Sequence, residues 1–251
     1  MAALGAIVSI GSGASVGREG PAVHIVASLA SWVGQRLKLS RSLSLTLLGC
    51  GVAAAVAASF NAPIAGAFFA LEVVIGHYAF SAFAPVVMAS VVGTIVARVH
   101  LGDFPAFVIN AHLFPRVAGV RPSGLVSATA AVFFMRGILF TQMAWARTNV
   151  QGWLRPALAG AAIGAIAIVL PEILGVGYEA TNQALNEAMP LWLLFALLAA
   201  KIAATCPSLG SGFVGGVFSP SLFIGAMTGG AFGYVAASIV PELSSSQSVY
   251  A

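Results

Sequence analysis

One eleven-residue pattern occurs twice in this chain, and it constrains the fold more than any other feature. Residues 11–21 read GSGASVGREGP, and residues 210–220 read GSGFVGGVFSP. The two segments align without a gap at an offset of 199 positions, and both end in proline. Proline suits the first turn of a helix, and glycines before it suit an irregular backbone that approaches other groups closely. Two such interrupted segments in the two halves of a hydrophobic chain predict a membrane transporter built from inverted repeats.

The composition supports a membrane location. The chain has 251 residues, of which 59% are hydrophobic and 7% charged, and its mean hydropathy is +0.99. Many apolar runs are longer than barrel strands, so the predicted fold is an all-α, multi-pass membrane protein with broken half-helices. The net charge of +4 is spread among loops, which excludes a nucleic-acid-binding surface. Cys50 and Cys206 lie in apolar segments and are interpreted as packing residues without a disulfide.

The apolar runs predict the positions of the helices. A helix over 21–34 is too short to cross a ~30 Å hydrocarbon core and is predicted to start near the midplane. A polar linker is predicted over 100–123, basic loops are placed in the cytoplasm, and the acidic segment 171–190 is placed outside. The other helices are predicted over 42–60, 63–76, 80–99, 124–146, 156–170, 191–205 and 220–240.

The first glycine-rich segment contains two adjacent charges, Arg18 and Glu19, within apolar sequence. A charge at bilayer depth costs about 2.5–3.5 kcal/mol on insertion scales, so such a residue usually faces a cavity or a pathway. A helix N-terminus has unpaired N–H groups and about half a positive charge. Two of them converging near the midplane predict a site for an anion.

Three motifs then give the chain a family resemblance. They are GREGP at 17–21, FNAPIAG at 60–66 followed by Leu71 and Glu72, and GGVFSP at 215–220. In this order and spacing they resemble the CLC family of chloride channels and chloride/proton exchangers, and the resemblance covers essentially the whole chain. It implies one transmembrane domain over 1–251, with 1–99 late in the first repeat and 124–251 early in the second.

The resemblance also implies roles for individual residues. Glu19 is the expected gating residue, whose carboxylate occupies an anion site and leaves it when protonated or displaced. Lys201 resembles a basic residue near the outer vestibule, while Glu72 and Val73 are accessory positions on the cytoplasmic side. The expected anion-binding residues are Gly17, Arg18, Glu19, Gly20, Gly216, Val217 and Phe218.

The resemblance further implies how the protein works as a whole. Chloride is the expected substrate, without a metal or another cofactor. The expected assembly is a homodimer with one pore per subunit, in which 63–99 forms part of the interface. The bilayer of the plasma (inner) membrane is the expected location. A coordinating serine and tyrosine of the family fall outside this sequence, so the chain is expected to be the middle of a longer subunit, incomplete at both ends.

Position 73 bears on coupling to protons. Exchangers of the family commonly have a glutamate there, whereas this chain has Val73, which cannot carry a proton. The prediction is therefore pH-gated chloride flow with weak or no proton countertransport. A chloride/proton antiporter with a different inner relay remains an alternative.

Other classes of function also remain open. A secondary transporter for another anion could use the same helix N-termini. A non-conducting interaction subunit is a further possibility. A membrane-embedded enzyme is not expected, because the sequence has no paired aspartates, Ser/His pair or HExxH motif.

Overall fold

The regular structure of the chain is helical, which confirms the predicted all-α fold. The computed structural model describes residues 2–103, 107, 117–186 and 188–239, with only the backbone at 2 and 117–121. Within these ranges there is no β-strand. The helices are α1 (Ala2–Gly11), α2 (Glu19–Arg36), α3 (Arg41–Phe60), α4 (Pro63–Phe69), α5 (Phe80–Leu101), α6 (Val117–Arg147), α7 (Arg155–Ala167), α8 (Tyr178–Leu185), α9 (Leu191–Ser211) and α10 (Phe218–Ile239). A π-helical turn, Ala70–Ile75, continues α4, and a 3-10 turn, Pro171–Ile173, precedes α8.

Five of the described helices have the length and apolar composition needed to cross a membrane. The segments are Arg41–Phe60, Phe80–Leu101, Pro122–Arg147, Leu191–Ser211 and Phe218–Ile239. Each corresponds to a predicted span. The short helix predicted over 63–76 is present as Pro63–Ile75, whereas the helix predicted to cross the membrane over 156–170 is the shorter Arg155–Ala167, with 13 residues.

The chain divides into two compact units, and the first consists of Met1–Ala3 and Glu19–Ala106. Its centre is α3, which packs on α2, α4 and α5. Close approach of α3 and α4 depends on Gly66, because a Cβ at that position would lie 2.7 Å from the Ala53 carbonyl oxygen. The Ser90 hydroxyl of α5 donates a hydrogen bond to the Pro63 carbonyl. Small residues thus allow the tight helix packing that is typical of membrane proteins.

The second unit consists of Leu4–Arg18 and Phe107–Ala251. Its centre is α9, which packs on α6, α7 and α10. Leu194 and Leu197 of α9 meet Phe223 and Met227 of α10 in a fully buried core. The Thr141 hydroxyl of α6 also donates to a backbone carbonyl of α9, at 2.7 Å. This unit contains both glycine-rich loops, since residues 4–18 belong to it.

Several predicted boundaries were wrong. The helices α2 and α10 each begin two residues before their proline, which is possible because proline needs no N–H donor within the first turn. With 18 residues α2 is about 27 Å long, longer than predicted. The helix α6 begins at Val117, inside the predicted linker, while 104–106 and 108–116 lie outside the described residues. Cys50 and Cys206 are free, as predicted.

Candidate functional site

The helices α1 and α9 end in the same turn, at positions that correspond in the repeated pattern. Gly13 and Gly212 both have a left-handed backbone, with φ of +85° and +104°, which favours glycine. The hydrogen bonds also correspond. Ser12 Oγ and the Ala14 N–H donate to the Ser9 carbonyl at 2.9 and 3.0 Å, and Ser211 Oγ and the Phe213 N–H donate to the Ser208 carbonyl at 3.0 and 3.2 Å.

After these turns the two loops pair with each other through Gly17 and Gly216. The Gly17 N–H donates to the Gly216 carbonyl at 2.7 Å, and the Gly216 N–H donates to the Gly17 carbonyl at 2.8 Å. The bridge is antiparallel and joins two residues that correspond at the offset of 199. Equivalent residues exchanging equivalent bonds are what a local two-fold axis produces, and this is the relation expected of inverted repeats.

Tight packing accompanies this bridge. A Cβ at position 215 would lie 2.4 Å from Cβ and Cγ2 of Val16, so only glycine fits there. The Val214 N–H donates to the hydroxyl of Ser9 at 3.0 Å, and the hydroxyls of Ser15 and Thr205 lie 3.0 Å apart. The two loops are therefore fixed to each other and to α9 by backbone and side-chain contacts.

Each bridged glycine is followed, two residues later, by the first residue of a helix. Glu19 begins α2 and is only 5% exposed, and Gly20 follows it, partly buried. Phe218 begins α10 and is partly buried, whereas the preceding Val217 is 48% exposed. The Val217 N–H has no acceptor within the part of the chain that the structure describes. An amide at a helix start that has no protein acceptor is a suitable donor to an anion.

Arg18 is exposed and contacts an aromatic side chain that the sequence analysis did not single out. Its guanidinium carbon lies 5.0 Å from the centre of the Tyr178 ring, within the range of a cation–π contact. Phe107 meets the same ring edge-on at 5.5 Å. Tyr178 is the first residue of α8, a helix that has no long apolar run and so gave no signal in the sequence.

Lys201 is fully buried, with none of its surface exposed. Its ammonium group donates to the carbonyls of Ile173 and Gly175, both at 2.9 Å, and lies 4.8 Å from the centre of the Phe223 ring. No described carboxylate forms an ion pair with it. Its predicted contribution to an outer vestibule stays a prediction.

Glu72 and Val73 lie on the π-helical turn, and both are exposed. The Tyr78 hydroxyl donates to Glu72 Oε2 at 3.5 Å. Partial desolvation and the neighbouring carboxylate raise the pKa of Tyr78. Glu72 and Tyr78 thus form a small polar pair at the end of the π-helical turn, and the sequence analysis had not identified Tyr78.

Comparison with known proteins identifies the family to which this chain is similar. The chain matches the family model described as voltage gated chloride channel over residues 1–251. A putative chloride channel protein ClcB-like from Ralstonia nicotianae is 38% identical over 237 residues, covering 90% of this chain and 54% of the relative. Chloride channel protein CLC-f of Arabidopsis thaliana is 32% identical over 255 residues, covering 95% of this chain and 33% of the relative. The chain thus spans about half or less of the length of these relatives.

Solved structures agree on the fold. A slow cyanobacterial Cl⁻/H⁺ antiporter superposes with a TM-score of 0.80 at 22% identity, over 94% of this chain and 57% of the other. A CLC-type fluoride/proton antiporter superposes with a TM-score of 0.69 at 25% identity, over 91% and 57%. Given the match along its whole length, the chain belongs to the voltage-gated chloride channel (CLC) family.

Proposed function

We propose that the full-length protein carries chloride across a membrane, and that the anion binds at the start of α10. The observation that supports this most directly is the Gly17–Gly216 bridge, because it holds side by side two loops that each lead into a helix N-terminus. The donors are the N–H groups of Val217 and Phe218. Neutral N–H dipoles hold chloride weakly enough for it to leave again, as permeation requires.

The role of the Val217 N–H can be tested by removing the group. Val217→Pro removes this donor, whereas Val217→Ala shortens the side chain and keeps the donor. With the full-length protein in liposomes, we expect isotopic chloride efflux to fall strongly in the proline variant and little in the alanine variant. Equal efflux from the two variants would contradict a role for this amide. Bromide-soaked crystals should show an anomalous peak beside Val217 and Phe218.

We also propose that Glu19 gates this pathway. Its carboxylate lies at the first residue of α2, is almost completely buried, and follows the bridged Gly17 by two residues. A negative charge is stabilised at a helix N-terminus, so the carboxylate can occupy a position that suits an anion and compete with chloride. Protonation neutralises the carboxylate and ends that competition, so flux should rise as the external pH falls.

For proton coupling we propose weak or no countertransport. Val73 cannot carry a proton, and it occupies the position where exchangers of the family commonly have a glutamate. A chloride gradient imposed on liposomes would distinguish the two mechanisms. Steady uphill proton pumping at a fixed ratio, abolished by Glu19→Gln, would favour an antiporter in which Glu72 or water is the inner relay.

An antiporter for chloride or for another halide is the second candidate. The observation that favours it is the fold similarity to two proteins described as a Cl⁻/H⁺ antiporter and a fluoride/proton antiporter. Competition of fluoride, bromide and nitrate with labelled chloride in the efflux assay would identify the preferred anion.

We further propose a homodimer in the plasma membrane that functions as a transport protein without a cofactor, and not as an enzyme. Support for the interface comes from apolar side chains on α4 and α5 that are exposed in the single chain. They include Ile64, Phe68, Met88, Val92, Ile95 and Val99. Such a surface suits either lipid or a second copy. Mass determination in mild detergent should give a dimer, and a monomer at micromolar concentration would contradict it.

A further inference from the structure

Lys201 is a buried charge that the proposed transport does not use directly. Its side chain is fully buried, and its ammonium donates to two backbone carbonyls, those of Ile173 and Gly175. Burying a charge is costly unless hydrogen bonds compensate it. Among the described residues, the hydrogen bonds that compensate it come from one short stretch of chain, the segment 173–178.

The segment 173–178 fits closely over the lysine. Gly177 has a left-handed backbone (φ +80°), and a Cβ there would lie 2.6 Å from Cδ2 of Phe223 and 3.3 Å from Nζ of Lys201. Gly175 also has a left-handed backbone, with φ +57°. The glycines thus permit a close turn around the ammonium, and the ammonium satisfies carbonyls that the turn leaves without helical partners.

The same segment contacts the loop that leads to Glu19, and it does so at two points. At one end the Gly175 N–H donates to the Gly13 carbonyl at 3.5 Å, and Leu174 packs against Gly13. At the other end the Tyr178 ring lies under the Arg18 guanidinium, at 5.0 Å. The contacts therefore run from Lys201 through 173–178 to the residue that immediately precedes Glu19.

We infer that Lys201 is a positioning residue. Its buried ammonium holds the segment 173–178 in place, and this segment in turn holds Arg18, the residue that precedes the proposed gating residue Glu19. The role of Lys201 in transport rests on the proposed chloride pathway. The hydrogen bonds by which Lys201 holds the segment 173–178 do not depend on that proposal. A lysine that acted only through its electric field would influence the anion without holding Arg18. The two explanations differ in what happens to residues 11–18 when Lys201 is replaced.

Hydrogen exchange tests the fastening without any transport assay. Lys201→Met in the full-length protein removes both hydrogen bonds, and Lys38→Met is the matched control, because Lys38 is exposed and is the other lysine of the chain. We expect amides of 11–18 and 173–178 to exchange at least about tenfold faster in Lys201→Met, the factor that corresponds to losing one hydrogen bond to a charged group. Unchanged exchange in both segments would overturn the inference.

A second variant tests the same inference if Lys201→Met does not fold. Tyr178→Leu removes the ring that contacts Arg18 and keeps an apolar side chain, so it should accelerate exchange in 11–18 while leaving the lysine site intact. In chloride efflux, Arg18→Gln should change the apparent chloride affinity less in the Tyr178→Leu or Lys201→Met background than in the wild type. We expect a coupling of at least about twofold.

Independent, multiplicative effects of Arg18→Gln and Lys201→Met on affinity would show that the lysine acts through its field, and would overturn the inference. If the wild-type protein carries no chloride, the proposed function fails, and the exchange result alone decides whether Lys201 fastens the segment.

Discussion

Replacing Gly215 by alanine should open the contact between the two glycine-rich loops. The new Cβ would lie 2.4 Å from both Cβ and Cγ2 of Val16, far inside van der Waals contact, and both atoms belong to a stiff β-branched side chain. Overpacking of this kind typically costs about 1–3 kcal/mol. If the loops separate to relieve it, the reciprocal Gly17–Gly216 bonds are lost as well, at about 0.5–1.5 kcal/mol each. Whether the clash stays or the loops separate, the expected loss of unfolding free energy is therefore about 1–3 kcal/mol.

The assay is thermal unfolding in mild detergent, followed by chloride efflux from liposomes. Gly164→Ala is the matched control, because a Cβ at that position has no atom within 4 Å and alanine favours the helix α7. We expect a clearly lower melting temperature and efflux for Gly215→Ala, and wild-type values or better for the control. Adding Val16→Gly removes the opposing atoms and should restore some of the loss. Equal melting temperatures for the two alanine variants would refute the reasoning.

Three further predictions concern the gate and the first unit. Glu19→Gln should mimic the protonated carboxylate, so chloride efflux at neutral external pH should rise and its increase on acidification should weaken; a pH response like that of the wild type would exclude Glu19 as the gate. Asn61→Ala should lower the melting temperature more than Asn61→Gly, because Asn61 has a left-handed backbone (φ 53°) that glycine adopts without strain. Both variants lose the hydrogen bond that Arg98 Nε donates to Asn61 at 2.7 Å, so this bond does not account for the difference. Gly66→Ala should destabilise the protein by about 1–3 kcal/mol, since its Cβ would lie 2.7 Å from the Ala53 carbonyl oxygen; a melting temperature equal to the wild type would show that α3 and α4 can move apart.

The sequence predicted the elements whose patterns are local. Long apolar runs defined the spans, and the repeated glycine and proline pattern located both loops. The predicted starts of α2 and α10 were both two residues too late. Proline is tolerated throughout the first helical turn, so it does not fix the residue at which the helix begins. The π-helical turn at Ala70–Ile75 has no sequence signature comparable to a proline or a glycine.

Features that depend on distant partners could not be predicted. The helix α8 is short, and only one of the residues that it buries, Leu185, has a large apolar side chain; the others are Ala180, Thr181 and Ala184. The carbonyl partners of Lys201 lie 26 and 28 residues earlier in the chain, so no spacing rule connects them. The contact of Arg18 with Tyr178 likewise depends on tertiary packing. That the predicted anion-binding residues together bind an anion stays a prediction, because this depends on the ion as well as on the fold.

The reciprocal bond between Gly17 and Gly216 has a mechanical consequence. Many carriers with inverted repeats expose their substrate alternately by rocking one half against the other. Both glycines of the bridge belong to the second unit, and Gly17 is buried, so water cannot readily replace the two bonds. A motion that carried the two loops apart would therefore have to break both bonds together. The two loops are expected to move as one piece during transport, so a cross-link between them should leave conduction intact.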